Sequence, residues 1–135
     1  MNGVLLDTSA VFAAARPRSD RHHEASAAYG TLLRGSERLV TTDLIVAELH
    51  ALSVARVHPA FGLELVDRLL ASTRIEVVSA GMARLHAAAD LLGQRPGRAY
   101  SLTDAVSFVL MREIGMSRAF TLDSDFAAEG FELVP

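Results

Sequence analysis

The strongest constraint on the fold of this 135-residue chain is a series of short apolar runs separated by longer segments of helical pattern. The runs are short enough for strands, and the segments between them repeat apolar residues three and four positions apart, as helices do. The predicted order is β-α-α-β-α-α-β-α-α-β-α-β. Such strands indicate a mostly parallel sheet covered by helices on both faces. They are predicted at residues 4–6, 39–40, 74–78, 119–122 and 131–134.

The composition predicts one globular domain over residues 1–135. Half of the residues are apolar and 21% are charged, so the chain can bury a core and is not disordered. The net charge of −3 argues against a protein that coats nucleic acid by bulk electrostatics, although it leaves room for a local basic rim. No apolar run has the length of a membrane span. We therefore expect a cytoplasmic protein with no membrane partner.

Two residue types that support many chemistries are missing from the chain. The absence of cysteine excludes disulfides, thiolate zinc sites, iron–sulfur clusters and a cysteine nucleophile. All 13 basic residues are arginine, which excludes a Schiff-base lysine and a P-loop lysine. The remaining candidates for chemistry are carboxylates, hydroxyls and histidines. The five histidines lack the spacing of metal ligands.

Four acidic residues lie at or near strand ends, where functional groups collect in an open parallel sheet. They are Asp7, Glu48, Asp104 and Asp123. Asp7 and Asp123 are also explained as helix caps or turn residues. Asp104 is the fourth residue of Ser101-Leu-Thr-Asp, which is typical of a capping box. Glu48 is harder to explain in this way, because its helical neighbours Leu44, Ile45 and Leu52 place it in an apolar stripe.

A carboxylate in an apolar stripe needs a partner, since burying an unpaired charge is costly. No arginine lies within one helical turn of Glu48 in the sequence. Several carboxylates brought together repel one another, and a divalent cation relieves that repulsion. Mg²⁺ and Mn²⁺ prefer oxygen ligands. Such a site can activate water and stabilise charge on a phosphate during hydrolysis.

Four segments of the chain, in order and at the usual spacings, resemble motifs of the PIN-domain ribonucleases. One such motif is weak evidence, but four in register are specific, and together they span essentially the whole chain. The motifs are Val4-Leu-Leu-Asp-Thr-Ser-Ala10, Thr42-Asp-Leu-Ile-Val-Ala-Glu-Leu49, Tyr100-Ser-Leu-Thr-Asp-Ala105 and Ala119-Phe-Thr-Leu-Asp-Ser-Asp-Phe126.

The resemblance implies a compact, PIN-like α/β/α sandwich of three layers. It further implies that four carboxylates coordinate Mg²⁺ or Mn²⁺ and are catalytic: Asp7, Glu48, Asp104 and Asp123. Ser9 and Thr121 match hydroxyl positions beside that site. Asp125 stands where many relatives have histidine or another residue, and we expect it only to support the residues that hold the metal.

The implied activity is metal-dependent endonucleolytic cleavage of single-stranded or loop RNA. The size and layout of the chain look most like the VapC toxins of toxin–antitoxin pairs. These toxins act as homodimers and are silenced by a VapB-like antitoxin. The alternative is a non-catalytic RNA- or protein-binding module of the same fold. A dehalogenase-like phosphatase would require a second aspartate at position 9, where this chain has Ser9.

Arginines flank two of the motifs and are candidates for contact with RNA phosphates. They are Arg16, Arg18, Arg95 and Arg98. Solvated surface arginines that bind nothing are the commoner case, and the sequence leaves both interpretations open.

Overall fold

The computed structural model describes residues 3–135, and five short strands within this range form one parallel sheet. The strand order is β3-β2-β1-β4-β5. All four strand pairings are parallel, as the separation of apolar runs by helices predicted. The strands are β1 (Gly3–Leu6), β2 (Arg38–Thr42), β3 (Ile75–Val78), β4 (Arg118–Phe120) and β5 (Glu132–Val134).

Seven helices of residues 3–135 connect these strands in the predicted order. No helix in this part of the chain is both long enough and apolar enough to cross a membrane. The helices are α1 (Thr8–Ala15), α2 (His22–Arg34), α3 (Asp43–Arg56), α4 (Pro59–Ala71), α5 (Gly81–Gly93), α6 (Leu102–Ile114) and α7 (Asp125–Ala128).

Alternate residues of the central strands enter two separate apolar cores, one on each face of the sheet. Leu5 packs in the core beneath α5 and α6, whereas Val4 and Leu6 pack in the core beneath α1, α2 and α4. This is the period of two that a strand imposes on its side chains. The protein is therefore a three-layer α/β/α sandwich, as predicted.

The element boundaries differ from the sequence prediction at two helix starts and at the end of β4, which stops at Phe120 rather than Leu122. Ser19 or Asp20 was the expected cap of α2, but Arg21 occupies that position in a left-handed conformation, with φ of 61° and no capping hydrogen bond. The Arg21 side chain instead forms an ion pair with Glu24 in the first turn. Helix α5 begins at Gly81 rather than Ser79, and the positive φ of Gly81 sets the direction in which the chain enters it.

The chain order reverses between β1 and β4, and this reversal positions the site. From β1 the chain moves outward through β2 to β3, and it then returns across the sheet to β4. In an open parallel sheet, the carboxyl ends of the strands at such a switch point frame a crevice in which ligands bind. Asp7 follows β1 directly, and Thr121 follows β4 directly.

Candidate metal centre

A cavity of about 290 Å³ lies beyond the carboxyl ends of β1 and β4. The four carboxylates predicted to bind metal all line it, although they come from four different segments. Glu48 is half-buried on α3 and faces the cavity together with Leu52, one turn further along that helix. The lining residues are Asp7, Thr8, Ser9, Glu48, Leu52, Ser101, Asp104 and Asp123.

Asp7 is the most buried of these carboxylates, with 3% of its surface exposed. Its oxygen Oδ2 accepts hydrogen bonds from the hydroxyls of Thr121 at 2.8 Å and Ser9 at 3.1 Å. The other oxygen, Oδ1, is buried without a hydrogen-bond partner among residues 3–135. Asp7 stands at the N-cap position of α1 but makes no capping hydrogen bond. The interpretation of Asp7 as a helix cap is therefore wrong.

The Ser9 and Thr121 hydroxyls link Asp7 to the backbone that follows β4. The Ser9 hydroxyl oxygen accepts from the backbone N–H of Leu122 at 2.9 Å, and that of Thr121 accepts from the N–H of Asp123 at 3.0 Å. Each hydroxyl thus donates a hydrogen bond to Asp7 and accepts a hydrogen bond from the main chain. Ser9 and Thr121, two of the three residues predicted to support the site, therefore fix one oxygen of Asp7 and leave the other free.

Asp104 lies in the first turn of α6, where it combines a capping contact with a place in the cavity. The Ser101 hydroxyl caps the helix by accepting from the backbone N–H of Asp104 at 3.0 Å. Only the backbone of Asp104 takes part in that bond, and its carboxylate lines the cavity. The capping interpretation and the ligand interpretation of this residue are therefore compatible.

The burial and mutual repulsion of these carboxylates change their proton affinities. Burial raises the pKa of Asp7 from its ordinary value of 3.8 to about 6, against the effect of its hydrogen bonds, which favour the charged form. Burial also raises the pKa of Asp104 to about 7, and the charges of Asp7, Asp123 and Glu48 add to that rise. These raised pKa values mean that burial and mutual repulsion destabilise the site when all of its carboxylates are ionised.

Asp104, Asp123 and Asp125 offer carboxylate oxygens that all lie within 4.8 Å of one another. The chain turns sharply there, because Asp123 Oδ1 accepts a hydrogen bond from the backbone N–H of Asp125 at 2.9 Å. Asp123 is thus also a turn residue, as its alternative interpretation had it. This acidic cluster is the one group of three or more possible metal ligands in residues 3–135, and it contains no histidine.

The donor set fits a hard divalent cation. The orphaned Asp7 Oδ1 is a buried acceptor that lacks a donor, and such atoms in native proteins call for a partner. The neighbouring carboxylates supply only oxygen, which is the ligand type that Mg²⁺ and Mn²⁺ prefer. Asp104, Asp123 and Asp125 have the carboxylate oxygens that lie closest to one another. Asp7, Glu48, Asp104 and Asp123 share the cavity, so Asp104 and Asp123 belong to both groups.

Comparison with known proteins agrees with this geometry. The sequence profile of the family described as "PIN domain" matches residues 4–131. The chain belongs to the PIN domain family.

Curated relatives of this PIN domain include VapC20, a "23S rRNA-specific endonuclease", from two strains of Mycobacterium tuberculosis. The identity is 39% over 64 residues, which is 47% of this chain and 47% of the relative. The match therefore spans about half the length of these curated relatives. It shows relatedness, and it does not by itself carry the activity of the whole relative to this chain.

Solved structures match over nearly the full chain. The crystal structure of M. tuberculosis VapC20, described as a sarcin–ricin loop cleaving toxin, superposes with a TM-score of 0.90 at 25% identity, over 98% of this PIN domain and 100% of that chain. PAE2754 from Pyrobaculum aerophilum has a TM-score of 0.69 at 19% identity, over 98% of this chain and 89% of that one. The second likeness shows the shared fold alone.

The four arginines predicted to contact RNA occupy different situations in this PIN domain. Arg16 and Arg18 follow the end of α1 that lies away from Asp7, about 12 Å along the helix axis at 1.5 Å per residue. Arg95 forms an ion pair with Glu129 at 3.1 Å. Arg98 is exposed and forms no ion pair within residues 3–135. Burial and the charge of Asp123 raise the pKa of Asp125, and the charge of Arg98 partly opposes that rise.

Sequence reasoning underestimated one residue of this PIN domain and missed another. Asp125 was expected only as support, but it belongs to the tightest acidic cluster. The spacing of Asp123 and Asp125 in the sequence did not predict this cluster, because the turn between them depends on a hydrogen bond that cannot be recognised from the sequence. Thr8 lines the cavity with a buried hydroxyl that has no partner among residues 3–135. Its place inside the Asp7-Thr-Ser9 motif was the available clue.

Proposed function

We propose that this PIN domain, a single domain over residues 1–135, is a metal-dependent endoribonuclease that cleaves single-stranded or loop RNA. The observation that carries the proposal is the buried, unpartnered Oδ1 of Asp7 at the wall of a cavity that three further carboxylates line. The relatives support the reaction class, since VapC20 is described as an endonuclease specific for 23S rRNA. The description of VapC20 as a sarcin–ricin loop cleaving toxin supports an RNA loop as the substrate.

The cation that we propose is Mg²⁺ or Mn²⁺, held by Asp7, Asp104 and Asp123 with help from Glu48 and Asp125. When bound, such an ion supplies water activation and stabilises negative charge on the phosphate. The chain itself contributes the fixed orientation of Asp7, because Thr121 and Ser9 hold its Oδ2. It also provides the cavity itself, in which Leu52 is an apolar lining residue beside the carboxylates.

Acidic residues alone would repel RNA, so the rim of the cavity must carry positive charge. Arg98 is the best-placed of the predicted arginines, since it is exposed and lies beside Asp125. We assign it to the substrate phosphates, and we keep Arg95, Arg16 and Arg18 as candidates for contacts with phosphates further from the cavity.

The experiment that tests the activity compares wild type with Asp104→Asn on a stem–loop RNA and on an unstructured RNA. We expect Mn²⁺-dependent cleavage by wild type, loss of cleavage in the variant and loss of cleavage on chelation. Asp67→Asn is the matched control, because Asp67 is an exposed aspartate on α4. Metal binding without cleavage by wild type would favour the alternative, a non-catalytic RNA- or protein-binding module. Undiminished cleavage in excess EDTA would exclude the metal mechanism.

We also propose that the protein is a toxin that forms a homodimer and is silenced by a VapB-like antitoxin. The support is the description of VapC20 as a toxin, together with an apolar surface on α4. Leu63 and Leu70 are 57% and 62% exposed and lie seven residues apart, which puts them on one face of the helix. Light scattering at micromolar concentration tests the dimer, and a monomer would contradict it.

A further inference from the structure

A buried carboxylate outside the cavity joins three segments of the structure. The Glu129 side chain is 4% exposed and accepts hydrogen bonds from Arg95 Nε at 3.1 Å, Tyr100 Oη at 2.9 Å and Arg112 Nη2 at 3.0 Å. Arg112 also donates to the Glu129 backbone carbonyl at 2.9 Å. The pKa of Glu129 is lowered by these three partners even though burial opposes the charged form. We call these four residues the Glu129 cluster.

The Glu129 cluster connects directly to both halves of the acidic site. Glu129 caps the C-terminus of α7, whose first residue is Asp125. Tyr100 immediately precedes Ser101, whose hydroxyl accepts from the backbone N–H of Asp104. The cluster therefore ties the segment that carries Asp104 to the segment that carries Asp123 and Asp125.

Aromatic packing makes this connection rigid. The Tyr100 ring packs edge-on against Phe108 at 5.2 Å between centroids, and Phe108 packs in the same way against Phe126 at 4.9 Å. The Arg112 guanidinium lies over the Phe131 ring at 5.1 Å. These contacts link the residues that bind Glu129 to side chains of α6 and α7.

Stability alone is a poor explanation for the cluster. Desolvation of the buried Glu129 carboxylate offsets much of its attraction to the arginines. The arginines themselves are partly exposed, and ion pairs with solvated partners contribute little to stability. What a fully satisfied buried polar network does provide is one defined arrangement of the segments that it joins. Here those segments carry three carboxylates that must hold their oxygens within 4.8 Å of one another.

We propose that Glu129 is a positioning residue of the candidate metal centre, which fixes Asp104 relative to Asp123 and Asp125 through Tyr100, Arg95 and Arg112. This inference rests on the proposed function, since it concerns the same cation. Glu129 itself does not line the cavity and acts through the residues that it orients.

The test uses Glu129→Gln and Tyr100→Phe, with Glu37→Gln as the matched control. Glutamine keeps the size of the side chain but removes the charge, and the two arginines that it releases are already 37% and 44% exposed, so water can solvate them. Tyr100→Phe removes one hydroxyl and keeps the ring against Phe108. Glu37 forms an ion pair with Arg118 at 2.6 Å at the amino end of β4, away from the cavity.

Three readouts are measured on the full chain. They are the affinity for Mn²⁺ alone by calorimetry, the melting temperature in EDTA, and RNA cleavage as a function of Mn²⁺ concentration. For Glu129→Gln we expect Mn²⁺ affinity to fall about tenfold, the lower end of the range for residues that orient metal ligands. Cleavage by this variant should recover at saturating Mn²⁺. Tyr100→Phe should lose less affinity, and Glu37→Gln should keep wild-type affinity even where its melting temperature falls.

Wild-type Mn²⁺ affinity in Glu129→Gln would overturn the positioning role. So would an equal loss of affinity in Glu37→Gln, because affinity would then follow global stability. If wild type itself neither binds Mn²⁺ nor cleaves RNA, the proposed function fails and this inference fails with it. If wild type does both and Glu129→Gln matches it, only this inference fails.

Discussion

Replacing Asp7 by asparagine should stabilise the metal-free protein at neutral pH while abolishing its activity. Asp7 is buried, and its Oδ1 has no partner among residues 3–135. An ionised carboxylate in that position therefore weakens the folded state until a cation compensates its charge. Asparagine has the same shape and can keep its oxygen on the Thr121 and Ser9 hydroxyls.

The size of the effect follows from the pKa. Burial raises the pKa of Asp7 from 3.8 to about 6, which at about 1.36 kcal/mol per unit corresponds to about 3 kcal/mol of lost stability. Asparagine would place its NH₂ group where the unpartnered Oδ1 now lies, and an unsatisfied buried donor costs about 1–3 kcal/mol. The net gain at neutral pH is therefore smaller than the electrostatic part, on the order of 1 kcal/mol.

The pH dependence isolates the electrostatic part, because the cost of the NH₂ group does not change with pH. The folded state holds a proton on Asp7 that the unfolded chain releases, since the pKa is higher when folded. The contribution of protonated Asp7 to the free energy of unfolding of wild type is fully present below pH 3.8. It is lost as the pH rises through about 6, and it is absent above that value. The difference between variant and wild type should accordingly grow by about 3 kcal/mol across this window.

Urea denaturation in EDTA, repeated at several pH values from 3.5 to 8, measures this difference. At this chain length 1 kcal/mol corresponds to about 4 °C, so thermal melting gives a second measure. Asp67→Asn controls for the loss of one negative charge at an exposed position on α4. A stability difference that stays constant across the pH range would refute the argument, because it would show that the buried carboxylate carries no electrostatic penalty.

Four further predictions concern the metal, the RNA and the arginines near the site. Mn²⁺ should raise the melting temperature of wild type but not of Asp7→Asn, because a ligand that binds only the folded state stabilises it; an equal rise in both would place the ion elsewhere. Mn²⁺ affinity should increase as the pH rises through about 7, where Asp104 loses its proton, since metal ligands must be deprotonated; calorimetry at pH 6 and 8 would show a flat response if Asp104 were not a ligand. Arg98→Ala should weaken RNA binding and reduce the slope of log affinity against log salt by about 0.7, the value for one contact with a single strand. Arg95→Ala should also lower the melting temperature, because Arg95 is bound to Glu129.

Local patterns in the sequence were sufficient to predict the layers of the fold and the four carboxylates of the cavity. The apolar run from Val4 to Leu6 predicts a buried strand, and the charged residue Asp7 marks the position at which that strand ends. What local patterns could not predict is pairing across the fold. Arg95 finds its partner 34 residues later in the chain, and no periodicity connects the two positions. The cap of α2 was mispredicted for a related reason, since the Arg21–Glu24 ion pair replaced the expected polar cap.

The acidic site is supported from two sides by networks that share no residue. On the sheet side, the hydroxyls of Ser9 and Thr121 donate hydrogen bonds to Asp7. Because Thr121 directly follows β4, these bonds connect the end of β1 to the end of the neighbouring strand. On the helix side, Glu129 joins the segments that bear Asp104 and Asp125. Burial and the charges of the neighbouring carboxylates raise the pKa of Asp104 to about 7. The same repulsion would move the ionised carboxylates apart if these networks did not hold them.

The two networks counter the repulsion between the carboxylates in different ways. The hydroxyls bind a carboxylate in its charged form and leave one of its oxygens free, whereas the Glu129 cluster holds backbone segments in place against repulsion. A site that is held in its binding geometry before the ligand arrives loses less free energy on binding than one that must be ordered at that moment. The stability that is lost to buried charge at neutral pH is thus recovered when a cation binds, which makes folding and metal binding in this PIN domain two readouts of the same carboxylates.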